Sequence, residues 1–425
     1  MTVLALDIGS SSVRAQLFDE RGEAAGELRR ERYDGRDPDE IVALVRKVLA
    51  GGEPDGTSCF GHSLLALDRA GKPLTELLGW RDARSADAAE WLRRRLDPDA
   101  VHARTGAHLH PSFWPAKLAW LAETEPDLYR RSARFVSFAD YLRGRAETSI
   151  SIASGTGLLD LTTNGWDAEL LQTLGLEAER LPQLVEEPVW LDGACSNLGA
   201  GCTGRDRAAL MIGTSGALRI LYETEQAQPR PGLFLYRLDG RRVVEGGALS
   251  DGGNLHAWLE RTLAGADGSI CERSPEEHGL TFLPFLGGER STGWDADATG
   301  AIVGLTFDTT PRDIRQAALE GIALRFAAIA ELLPEVETVV ATGGALAAEP
   351  EWIQVLADAL ARPVIASRVA EASLRGAAVA ALALRGREPA EPPPGEVFHP
   401  REERAEAYRW ARERQQLVYE ELRGE

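Results

Sequence analysis

Val3-Leu4-Ala5-Leu6-Asp7-Ile8-Gly9-Ser10-Ser11-Ser12-Val13-Arg14-Ala15-Gln16-Leu17-Phe18 is the stretch on which the reading of this chain turns. An apolar run meets a turn of glycine and serines, and alternation resumes beyond it, which predicts strand, tight turn, strand. The pattern returns far downstream. Ala208-Ala209-Leu210-Met211 leads into Ile212-Gly213-Thr214-Ser215-Gly216, followed by Ala217-Leu218-Arg219-Ile220-Leu221. Glycine lets backbone N–H groups approach an anion closely, and Ser or Thr hydroxyls add donors, so each turn is suited to phosphate oxygens. A lone turn of this kind is usually only a turn. Its recurrence at matching points of two halves points to a duplicated fold in which two such turns grip one polyphosphate.

The rest of the chain agrees with that organisation. A length of 425 residues exceeds one core and predicts two or three domains. Strands alternate with helices in both halves, an α/β pattern, and the halves are expected to divide as 1–206 and 207–425. A net charge of −19 argues against a nucleic-acid ligand, so the expected polyphosphate is small and accompanied by a metal or by local basic residues. The start lacks the basic segment of a secretory signal, and the apolar run from Gly376 to Leu384 is too short to span a bilayer. Four cysteines without CxxC spacing suit a reducing cytoplasm, and no His spacing suggests a metal site.

Local signals mark several elements. Asp37-Pro38-Asp39-Glu40 predicts a capped helix start, and Thr310-Pro311 another. Thr57 to Asp68 reads as one strand carrying Gly61-His62-Ser63, and Leu161 to Leu184 as a small helical insert around Trp166. Val339 to Ala345 reads as a strand entering a glycine turn, and Glu388 to Glu396 as a linker to a charged final helix.

Several motifs in order resemble the FGGY carbohydrate kinases, nearly end to end. They are Asp7-Ile8-Gly9-Ser10-Ser11-Ser12-Val13-Arg14, Trp80-Arg81-Asp82-Ala83-Arg84, Asp192-Gly193-Ala194, Gly213-Thr214-Ser215-Gly216, Gly300 to Gly321, and Gly343-Gly344-Ala345. The resemblance implies two actin-like, ribonuclease H-like domains with ATP and sugar in a central cleft. It implies that Asp7 helps hold a hydrated Mg²⁺ and that Gly9, Ser10, Ser11 and Arg14 meet phosphates. Gly213 and Thr214 would close on phosphates from the opposite domain, while Gly253, Gly344 and Ala345 bracket adenosine. Asp192 would be the base that accepts the sugar hydroxyl's proton. His62, Trp80 and Asp82 would face the sugar, an aromatic face packing on carbons and polar ends pairing with hydroxyls.

Each residue also has a plainer reading. Asp192 could instead be a helix N-cap, Asp7 a turn former, Asp82 a partner of Arg84, Arg14 an exposed strand residue, Trp80 core and His62 structural, readings that the family context outweighs for Asp192 and the repeat for Asp7. Two local departures from the family pattern stand out. Pro188-Val189-Trp190-Leu191 precedes Asp192 where the family commonly has glycines, and Trp114 stands where a small residue is usual. The expected substrate is a small sugar or sugar acid, with gluconate kinases most similar around Thr105-Gly106 to His110-Pro111, Phe282 to Phe285 and Gly288 to Arg290. Xylulose kinase or another sugar or polyol kinase is the alternative. Arg81, Arg84, Lys117 and His62 are the candidates to meet a carboxylate. Rival classes are a non-catalytic actin-like nucleotide-binding protein, which needs no base at Asp192, and a chaperone-like ATPase, which needs a separate peptide-binding domain. Neither nucleic acid nor membrane is expected as a partner, and both monomer and homodimer stay open.

Overall fold

The opening stretch forms its hairpin. In the computed structural model, which describes residues 1–266 and 268–424, β1 (Val3–Gly9) and β2 (Ser12–Phe18) pair antiparallel. Gly9 lies opposite Ser12, and Ser10 and Ser11 are exposed at the tip. β3 (Arg29–Arg32) pairs with β2, whereas β4 (Gly56–Cys59) runs parallel to β1 and β5 (Val189–Leu191) parallel to β4. The sheet order is therefore β5-β4-β1-β2-β3. Its central strand β1 is almost wholly buried, as expected of a strand covered on both faces.

The second hairpin repeats that plan. β6 (Arg207–Ile212) and β7 (Gly216–Glu223) pair antiparallel, with β8 (Arg242–Leu249) beyond β7. On the other side β9 (Thr338–Thr342) and β10 (Val364–Ala366) follow in parallel, and β11 (Glu396–Phe398) closes the edge antiparallel. In each half a hairpin has a third strand on one flank and two parallel strands on the other. The sequence repeat is thus a repeat of topology.

The chain forms two compact units. One contains Met1–Gly201, Leu221–Glu245 and Glu371–Pro392, and the other Cys202–Ile220, Gly246–Ala370 and Pro393–Glu425. The division expected after Asp206 lies close to the first crossing, but two later segments return to the first unit. Close helix packing explains the second return. The helix Ala372–Leu384 packs on β1, β4 and the helix Asp192–Gly199. A Cβ on Gly199 would lie 1.8 Å from the Ala372 carbonyl oxygen, and one on Gly376 would lie 1.8 Å from that of Cys195. Only glycine permits backbones to cross this closely.

Local signals place the helix starts where the sequence put them. Asp37 caps Pro38–Leu49 by accepting the Asp39 N–H at 2.9 Å, and Thr310 forms a capping box with Asp313 ahead of Pro311–Glu331. The reading of Thr57 to Asp68 as one strand is corrected. Strand Gly56–Cys59 ends, His62 adopts a left-handed φ of 65°, and a separate strand covers Leu65–Leu67. Leu161 to Leu184 is only partly helical, with a small strand pair Leu159–Asp160 and Gly165–Trp166 ahead of the helix Ala168–Leu174. Among the described residues no helix is long and apolar enough to cross a membrane.

Candidate active site

Asp7 sits where three strands meet, and the register dictates its partners. It lies opposite Arg14 on β2 and beside Ser58 on β4. Accordingly Ser58 Oγ donates to Asp7 Oδ1 at 2.6 Å, and Arg14 Nη1 lies 2.9 Å from Asp7 Oδ2. The same Arg14 Nη1 is 2.8 Å from Glu371 Oε2, and Arg30, opposite Arg14 on β3, donates to the other oxygen of Glu371. One guanidinium thus serves two carboxylates. Burial pushes the Asp7 carboxyl above its usual range, against the pull of Arg14 and the Ser58 hydroxyl. Burial also works against the charge of Arg14, but Asp7 and Glu371 together outweigh it and hold the guanidinium charged. Arg14 additionally reaches Ser12 Oγ at 3.0 Å, and Tyr33 OH donates to the Gly9 carbonyl.

Asp192 opens the helix that follows β5. The N-cap position belongs to Leu191, so Asp192 lies inside the first turn, its Oδ1 accepting the Gly193 N–H at 2.7 Å. Its charge acts on Arg14, Tyr33 and Cys59, which places it in the same neighbourhood as Asp7. Ser373 Oγ donates to the Asp192 carbonyl at 3.3 Å. The missing glycines ahead of Asp192 are compensated from across the fold, because Gly61 and Gly155 make room for the Leu191 side chain.

His62 is half-buried in an aromatic corner. Its Nδ1–H donates to the Gly155 carbonyl at 2.5 Å, while Phe113 and Tyr236 meet the ring edge-on with centroids 4.9 and 5.6 Å away. Lys117, 1% exposed, donates to the carbonyls of His62 at 2.6 Å, Ser112 at 2.8 Å and Leu78 at 3.5 Å. Through these carbonyls it braces the left-handed turn at His62. Trp114 is core, its indole N–H donating to Ser63 O.

Asp82 is buried and engaged with basic partners. Arg84 Nε donates to its Oδ1 at 2.9 Å, and Arg36 Nη1 lies 3.6 Å from Oδ2. Burial alone would raise this carboxyl, but the hydrogen bonds and charge of Arg84, with Arg36, hold it below the usual range. Arg84 also pairs with Glu76. Arg81 lies over the Trp80 ring at 4.9 Å, and Trp80 is half-buried. His102 and His108 stack and share the Leu233 carbonyl, and burial with its histidine neighbours pushes His108 down to about 2.

In the second unit three motifs far apart in sequence converge. The Gly253 N–H donates to Gly213 O and the Asn254 N–H to Thr214 O, both at 2.9 Å. A Cβ on Gly253 would lie 2.3 Å from Gly213 O and 3.2 Å from the Ala345 methyl. Thr214 and Gly344 are exposed around this contact, and a side chain at Gly344 would meet open space. Such bare backbone suits the close approach of a nucleotide. Sequence reasoning left out Asp251, buried beside this glycine loop. Burial pushes its carboxyl up to about 6, although the Gly287 N–H donates to Oδ2 at 3.3 Å.

Residues 55–213 match the N-terminal domain of the FGGY family of carbohydrate kinases, and residues 208–384 match its C-terminal domain. The chain belongs to this family. It is an ATP-dependent carbohydrate kinase of two actin-like α/β units. A gluconokinase of Bacillus licheniformis is 28% identical, the match covering 91% of this chain and 88% of that protein. A glycerol kinase of Thermus brockianus is 32% identical over 88% of each chain. The crystal structure of a xyloylose kinase from Brucella ovis matches with a TM-score of 0.86 and 26% identity, covering both chains completely. Membership of a carbohydrate kinase family removes the chaperone-like and non-catalytic alternatives.

The residues expected from the sequence fall into an Asp7, Arg14 and Asp192 group and a His62 group in the first unit, and a Gly213, Gly253 and Ala345 group in the second. Glu371, Arg30 and Ser58 were missed because each reaches the site through strand register or helix packing. No nearby motif announces them.

Proposed function

We propose that this kinase phosphorylates gluconate, with Asp192 as the base. The observation that carries the catalytic part is the buried Asp7 carboxylate sharing one arginine with Glu371, within electrostatic reach of Asp192. Asp7 and Glu371 face two guanidiniums, Arg14 and Arg30, and Asp192 adds a third carboxylate to the neighbourhood, which favours a further cation nearby. Among the described residues no group of three or more His, Cys, Asp or Glu is arranged as a metal cage. Asp7, a buried carboxylate on β1 ahead of the Gly9–Ser11 turn, fits a Mg²⁺ that would keep most of its waters. Bound in that way, Mg²⁺ would neutralise charge on the transferring phosphoryl group.

The chain's own groups do the rest. Backbone N–H groups and hydroxyls at Gly9, Ser10 and Ser11, with Arg14, hold phosphate oxygens, and Gly213 and Thr214 hold others. Gly253, Gly344 and Ala345 offer bare backbone to adenosine. Asp192 takes the proton of the attacking hydroxyl as its oxygen bonds to the γ-phosphorus and the bond to the β–γ bridging oxygen breaks, releasing ADP. His62 and Trp80 line the acceptor side, with Asp82 fixing the loop that carries Trp80.

Similarity to gluconokinases supports the choice of gluconate. One observation favours a neutral ketose such as xylulose instead. Lys117, one of the basic side chains expected near a substrate carboxylate, donates to the carbonyls of His62, Ser112 and Leu78. Coupled ADP release over gluconate, xylulose and glycerol decides. The proposal expects kcat/KM for gluconate to lead by at least about tenfold; a lead for xylulose overturns the substrate and leaves the kinase intact.

A further inference from the structure

Glu371 stands immediately ahead of the helix Ala372–Leu384, at its N-cap position, yet its side chain makes no cap hydrogen bond. The carboxylate turns instead to Arg14 at 2.8 Å and to Arg30. Two residues on, Ser373 Oγ holds the Asp192 carbonyl. Both contacts leave a helix end that cannot slide, because Gly376 is packed against Cys195 O and Gly199 against Ala372 O with no room for a methyl group. The start of this helix therefore ties the Arg14 side to the Asp192 side within one unit.

The charges explain what the tie accomplishes. Without Glu371, Arg14 would face the buried Asp7 alone, at 2.9 Å and with Ser58 already bonded to the other oxygen. A close pair of that kind neutralises itself. Glu371, braced by Arg30, gives the guanidinium a second carboxylate seat beside Asp7. We propose that Glu371 is a positioning residue that holds Arg14 in register with Asp192 for phosphoryl transfer. This rests on the assignment of Arg14 to phosphates and of Asp192 as base.

The test combines turnover with ATP affinity measured by calorimetry without metal or sugar, in Glu371→Gln, Arg14→Gln and the double variant. Removing a negative charge near a phosphate site should, by electrostatics alone, leave ATP binding unchanged or tighter. Positioning predicts that kcat of Glu371→Gln nevertheless falls by about tenfold or more, with KM for the sugar within about twofold of wild type. In the Arg14→Gln background the Glu371 change should cost nothing further. Glu371→Asp keeps the charge but withdraws it by one methylene, so its turnover should stay low. Unchanged kcat in Glu371→Gln, full additivity in the double variant, or weaker ATP binding accompanied by a lowered melting temperature would each overturn the proposal. Unchanged ATP affinity and turnover in Arg14→Gln would instead remove the assignment of Arg14 on which it rests.

Discussion

Asp7 and Arg14 face each other across β1 and β2, and the guanidinium that lies 2.9 Å from Asp7 is also 2.8 Å from Glu371, a residue 357 positions away from Arg14. A strand–turn–strand motif and a distant helix start are thereby joined through one cation. The pair is buried enough for its charges to matter and is not self-neutralised, a combination suited to receiving anionic phosphates with a cation.

If Asp192 is the base, Asp192→Asn keeps the fold and ATP binding while kcat falls about 100-fold or more. The Ser373 contact is to the Asp192 backbone carbonyl and survives the change, so the melting temperature should hold. Steady-state kinetics with a melting curve checks both; wild-type turnover removes the assignment.

Lys117→Met tests the structural role of the buried lysine. Three carbonyls lose their donor, so the variant should lose about 3 kcal/mol of stability in urea unfolding. Kinetic damage should fall alike on acidic and neutral substrates. A selective loss for gluconate at unchanged stability would restore Lys117 as a carboxylate partner.

Asp251 makes stability depend on pH in a definite direction. Its folded pKa is raised to about 6, so the folded state favours the neutral acid. Its contribution is fully present below the ordinary carboxylate range and is lost as pH rises through about 6. Asp251→Asn should therefore melt higher than wild type at about pH 8, with the advantage shrinking as pH falls through the folded value. Melting curves across that range that stay parallel would contradict it.

Gly376→Ala should fail at the helix crossing. The added methyl would lie 1.8 Å from Cys195 O, and backbone cannot yield as a flexible side chain does. A loss of about 3 kcal/mol or more, or a failure to accumulate as folded protein, is expected. Gly386→Ala, at the end of the same segment with nothing nearby, controls for helix-end effects through its positive φ alone.

The sequence by itself determined what neighbouring residues control. The two glycine hairpins, the Asp37-Pro38 and Thr310-Pro311 caps and the glycine turn after β9 each depend on hydrogen bonds and φ preferences spanning a few positions, so they were legible directly. The repeat carried the duplicated α/β plan for the same reason, since two copies of a local pattern specify two copies of a local structure. Tertiary structure alone decided which charges meet. That Arg14 divides itself between Asp7 and Glu371, that Lys117 braces His62, and that Leu191 fits where glycines were expected all follow from strand register and from backbones crossing at Gly199 and Gly376. A side chain's partner is set by where distant backbone places it, and burial then fixes how strongly the pair interacts.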